Sequence, residues 1–148
     1  MPPLEVTARV LVKADAERVW QLAMNWSRQR QWMWGTQVSG GASVGAEVVA
    51  RTGIGRLGFE DTMVITEWDP PRRCVVRHTG KVVRGHGIFE VVPHGPVSEF
   101  RWTEQLDLPL SSAGPLGRWV VDPAGRWAVA PLARLGLAGS LRRFARLV

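Results

Sequence analysis

Residues 115–148 are the one long stretch of this chain that cannot be read as strands, and any fold has to be arranged around them. Asp122 followed by Pro123 is a helix start: an Asp cap, then Pro at the first helical position, where its missing N–H costs nothing. From there Trp127, Ala130, Leu137, Ala138, Leu141, Phe144 and Val148 recur at the three- and four-residue steps of one helical face. Pro131 removes a backbone donor, which predicts a kink near it. Ala and Gly residues make the middle of the helix thin. A thin helix either packs very close to a sheet or leaves space beneath it.

Most of the preceding chain has period two. Residues 4–12 read as a strand. Residues 15–24 read as a helix, with Asp15 and Glu17 in its first turn, where the helix dipole favours them. Val19, Leu22, Ala23 and Trp26 form its apolar stripe. A short second helix or turn, NWSRQRQW, ends at Gly35. Strands are then predicted over 36–40, 46–52, 58–68, 73–79, 82–92 and 98–108, with a Pro/Gly turn at 93–96. Strands at this spacing imply an antiparallel meander. The order predicts one α+β domain over residues 1–148: a curved antiparallel sheet of about seven strands around a long C-terminal helix, with two short helices after the first strand. A curved sheet wrapped round a helix leaves a cavity unless large side chains fill it.

Charge narrows the partners. Residues 123–148 carry five Arg and no acid, a charge of +5, whereas residues 1–122 carry only +1. The arginines at 126, 134, 142, 143 and 146 spread round the helix instead of lining one side. That argues against nucleic acid, which needs a continuous basic stripe, and leaves weak contact with an anionic membrane as an alternative. The single cysteine, Cys74, rules out an intrachain disulfide. With no signal peptide and no apolar run of about 20 residues, a cytoplasmic location is expected.

Period two also sorts the polar residues by face. In 98–108, Glu104 shares a face with Phe100, Trp102, Leu106 and Leu108, so a carboxylate stands where burial is wanted. Such a group either pairs with an Arg at a cavity mouth or serves as a polar anchor or acid/base. In 73–79, Cys74, Val76 and His78 share a face. In 82–92 either His86, Ile88, Glu90 and Val92 point inward or Val83, Phe89 and Val91 do, because Gly85 and Gly87 blur the register. If His86 points inward, it faces His78 across the hairpin. The adjacent Glu60 and Asp61 ensure that one carboxylate of 58–68 points each way, and whichever points inward is a second candidate polar group. These groups match no tight metal-ligand spacing, so no metal is expected. Gly53–Gly58 brushes against G-x-G-x-x-G but opens no helix, so no cofactor is expected either. Eight Trp and no Tyr supply either core packing or an indole-lined cavity for a flat ligand.

Four local stretches carry a resemblance. Ala14–Trp20 resembles the opening helix of the START-like (SRPBCC) superfamily. Ile65-Thr66-Glu67-Trp68-Asp69-Pro70-Pro71-Arg72-Arg73 resembles its strand-to-turn signature. Phe100–Glu104 resembles its penultimate strand, and Ser140–Arg143 its final turn. In that order they resemble the helix-grip fold, with the polyketide cyclase/dehydrase branch the nearest in kind. The resemblance implies a monomer or homodimer that binds a hydrophobic small molecule, of lipid, polyketide or aromatic type, between the sheet and the C-terminal helix. The expected ligand-binding set is Met63, Trp68, His78, Phe89, Phe100, Trp102, Glu104 and Trp127. One alternative is a cyclase/dehydrase-type enzyme in which Glu104 and His78 or His86 act as acid and base. The other is peripheral membrane binding through the Arg-rich helix.

Overall fold

The computed structural model describes residues 3–81, 83–107 and 123–148, with side chains described throughout except at 123–129. Its elements are β1 (Leu4–Val12), α1 (Ala16–Ala23), a 3-10 segment (Trp26–Gln31), β2 (Thr36–Gly40), β3 (Glu47–Ile54), β4 (Leu57–Asp69), β5 (Arg73–His78), β6 (Gly85–His94), β7 (Val97–Leu106) and α2 (Pro123–Leu147). The strands form one antiparallel sheet in the order β1-β7-β6-β5-β4-β3-β2. The α+β helix-grip architecture expected from the sequence is therefore the fold.

Local chemistry explains most boundaries. The Asp15 carboxylate accepts from the Arg18 N–H at 2.8 Å, which starts α1, and Val19, Leu22 and Ala23 are buried as the stripe requires. Gly35, at φ 73°, ends the helical segment. The predicted turn at 93–96 is tighter in the structure. Pro93 and His94 still pair with Ser98 and Val97, leaving Gly95 and Pro96 to make the turn. α2 runs as one helix through Pro131, and it lies against β1. The proposed cap Asp122, as well as Leu108, Val82 and Trp119, fall outside the described residues.

The core sits between the inner face of the sheet and the helical elements. Phe100 on β7 is fully buried, with its ring 5.8 Å from Trp32 and 4.7 Å from Phe144 of α2. Leu141 and Phe144 are buried, and Leu137, Ala138 and Val148 pack against the core. Leu132 and Leu135 of the same helix are exposed.

One glycine controls how β6 begins. Gly85 pairs with both His78 and Leu106 at φ 117°, and a Cβ there would strike the Gln105 carbonyl oxygen. Gly85→Ala is expected to cost about 2–3 kcal/mol from backbone strain and the forced shift of β7. The urea midpoint of the variant checks this, and an unchanged midpoint would refute it.

Candidate functional site

β5 places Cys74, Val76 and His78 on one face, as uninterrupted alternation predicts; that face is the inner one, and all three are buried. The Cys74 thiol is pushed up to about 12 by burial and by the nearby Glu67 charge, so it stays protonated and inert. β4 presents Asp61, Met63 and Ile65 to the same inner face. Asp61, rather than Glu60, is thus the inward carboxylate. A bulge between Ile65 and Glu67 then shifts the register, and Trp68 pairs opposite Cys74. The extra residue is what turns Trp68 back to the inner face.

β6 resolves the ambiguity left by its glycines. Gly87, Phe89 and Val91 pair with Glu104, Trp102 and Phe100, so the odd-numbered set points inward. His86 is opposite Arg77, on the outer face. The alternative that placed His86 beside His78 is thereby corrected: the two rings lie on opposite faces of the sheet, because their strand pairing puts Gly85, not His86, across from His78. His94 is exposed, 3.5 Å from Glu99 on the outer surface.

Three inward polar side chains meet. His78 donates through Nδ1 to Asp61 Oδ1 at 2.9 Å and through Nε2 to Glu104 Oε2 at 3.2 Å. Trp102 Nε1 donates to the other Glu104 oxygen at 2.6 Å. The His78 side chain is 5% exposed, against 14% for Asp61 and 16% for Glu104. Burial alone would lower the His78 pKa. The hydrogen bonds and charges of Asp61 and Glu104 outweigh it and raise the imidazole to about 9. The ring is therefore an imidazolium at neutral pH, donating from both nitrogens.

This group forms one wall of a cavity of about 150 Å³. Met63, Val76, Phe89 and Trp102 supply the apolar part of the sheet wall, and Val38, Val48 and Ala50 extend it across β2 and β3. Trp26, Gln29 and Met33 close it from the 3-10 segment and the turn after it. Among the described residues, no side chain of α2 lines it, so its walls are the sheet and the short helical segment. Where the side chains of α2 are described, Leu141 and Phe144 pack in the core, Phe144 against Trp32 and Phe100.

Of the expected ligand-binding set, Met63, His78, Phe89, Trp102 and Glu104 share the cavity wall. Phe100 lies in the core cluster. Trp68 packs edge-on to Trp20 at 5.2 Å and beside Trp26 at 6.4 Å, away from the cavity. The Trp127 side chain lies outside the described residues. Sequence reasoning missed Trp26, Gln29 and Met33 as cavity residues. The usable signal was four Trp within residues 20–34, more than one short helix needs for its own packing. Those indoles divide their roles: Trp20 and Trp32 are core, Trp26 faces the cavity, and Trp34 is 79% exposed.

The fold recurs in known structures. A protein of Thermus thermophilus superposes with a TM-score of 0.73 at 18% identity, over 96% of this chain and 94% of that one. A polyketide-cyclase-like protein of Corynebacterium glutamicum gives 0.61 at 18% identity, over 99% and 93%. A protein of the dynemicin biosynthetic locus gives 0.69 at 18% identity, over 98% of this chain but only 47% of that one. At these identities the likeness is one of fold. No curated protein matches the chain in sequence. No described helix is long and apolar enough to cross a membrane. The model of the family described as polyketide cyclase / dehydrase and lipid transport matches residues 3–148, and the chain belongs to that family.

Proposed function

We propose that the chain, acting as one domain, binds a hydrophobic small molecule in the cavity between the sheet and the 3-10 segment. The observation that carries this is a largely apolar cavity with a few hydrogen-bonded polar groups on its wall, the buried His78–Glu104 contact among them, which is the usual make-up of a ligand pocket. A cavity of about 150 Å³ accepts a ligand on the order of one aromatic ring without rearrangement. The buried, unpaired Cys74 fits a reducing, cytoplasmic setting.

Tryptophan fluorescence tests this without a label, because Trp26 and Trp102 both face the cavity. Titration with one-ring aromatics, fatty acids and sterols is expected to give saturable quenching with one compound class. Trp102→Ala is expected to weaken that binding roughly tenfold or more. Trp34→Ala, at an exposed position, is expected to leave it unchanged. A flat response to every class would refute the binding function.

The His78–Glu104 contact also favours a second reading, an enzyme of the cyclase/dehydrase kind with these residues as acid and base. The family description and the neighbour from a biosynthetic locus are in keeping with it. Against it, both His78 nitrogens already donate to carboxylates, which leaves the ring no free lone pair. A base must have a lone pair within reach of the proton it removes.

A further inference from the structure

Resting on the binding function above, we propose that the cavity selects apolar ligands carrying a hydrogen-bond donor, a phenolic hydroxyl or an amine, and rejects carboxylates. The selection comes from the asymmetry of the wall. Its nitrogen donors are already directed at protein acceptors: Trp26 Nε1 at the Gly41 carbonyl, Gln29 Nε2 at the Ala23 carbonyl, Trp102 Nε1 and His78 Nε2 at Glu104, and His78 Nδ1 at Asp61. The hydroxyls of Thr36 and Thr52 bond to one another at 3.1 Å. Of these side-chain donors, only the second N–H of Gln29 Nε2 and one hydroxyl of the threonine pair are left uncommitted, against the unused lone pairs of two carboxylates, each with two oxygens and about four acceptor sites.

Charge points the same way. The wall carries two carboxyl groups, Asp61 and Glu104, and a single basic side chain, His78, set between them. Among the described residues, no Lys or Arg lines the cavity to pair with an anionic ligand. Against this wall a ligand carboxylate would meet like charge with no counter-ion among the described residues, whereas an ammonium or a hydroxyl would meet acceptors.

The sheet is also shaped to keep Glu104 in place. Gly87 lies directly across from it on β6. A Cβ on Gly87 would come within 3.2 Å of Glu104 Oε1 and 3.1 Å of a Val76 methyl. Bare backbone at this point lets the carboxylate lie flat on β6, between the Trp102 indole and the His78 ring.

The test is calorimetric titration at pH 7 with four one-ring probes of nearly equal size: toluene, phenol, benzylamine and benzoate. Phenol and benzylamine are expected to bind at least tenfold tighter than toluene, and benzoate at least tenfold weaker than phenol. The phenol and benzylamine arms distinguish a neutral donor from a cationic one. In Glu104→Gln and in Gly87→Ala, each checked for folding by circular dichroism, the advantage of phenol over toluene is expected to fall below threefold. Benzoate binding as tightly as phenol would overturn donor selection and leave the cavity function standing, as would an undiminished phenol preference in a folded variant. No binding by any of the four probes would overturn both.

Discussion

Phe100→Ala is expected to lower the free energy of unfolding by about 3–5 kcal/mol, the usual cost of removing a large aromatic side chain from a closed core. Phe100 has no solvent-exposed surface. Its ring touches three elements that are far apart in the chain: Trp32 after the 3-10 segment, Phe89 on β6 and Phe144 on α2. Trp32 in turn packs edge-on to Phe144 at 5.3 Å and to Trp102 at 5.9 Å, so the neighbours brace one another and have little freedom to collapse into the space. The loss should appear as a lower urea midpoint with an unchanged m-value. Leu11→Ala, at an exposed position on β1, is the control and should change stability by less than about 0.5 kcal/mol. A Phe100→Ala midpoint equal to that of the control would show that α2 is not anchored through this cluster.

The second large effect is one of pH. The His78 imidazole is raised from 6.5 to about 9 in the folded protein, so the folded state holds its proton more tightly than the unfolded state does. Its contribution to stability is full below pH 6.5 and is lost as pH rises through 9. At 1.36 kcal/mol per pKa unit, that contribution is on the order of 3 kcal/mol. The charged groups facing the ring are Asp61 from β4 and Glu104 from β7, and both favour the imidazolium. Urea melts at pH 6, 7.5 and 9 should show wild type losing stability relative to His78→Gln across this range. Above pH 9 the buried Cys74 thiol adds its own loss, because it too holds its proton in the folded state, and the difference between the two proteins removes that part. A midpoint near 9 for the His78 ring in an NMR titration is the direct check. Parallel stability curves for the two proteins would mean that the imidazole is not held between two carboxylates.

The parts of this protein legible in the sequence are those where one face of one element decides the outcome. The 3.6-residue stripe ending in Leu141 and Phe144 marked the buried side of α2. Alternation through Cys74, Val76 and His78 put these three on one side of β5, and the apolar companions of Glu104 put that carboxylate inside. Each is a local pattern enforced by burial, and burial acts on whichever residues carry the pattern. Other features depend on pairing between strands. Gly85 and Gly87 have no side chains to indicate a face, so only the hydrogen-bonded register with β5 and β7 sends Phe89 inward and His86 out. A single extra residue near Thr66 reverses the alternation of β4 and returns Trp68 to the core, and no local sequence pattern marks the place. The polar group itself joins residues 17 and 26 positions apart, on strands that are not all neighbours. The sequence by itself determined the elements, their order and the buried faces of α1, α2 and β7. Only the tertiary structure decided that Asp61, His78 and Glu104 meet, because a hydrogen bond requires atoms within about 3 Å and only the register of the folded sheet sets distances that short.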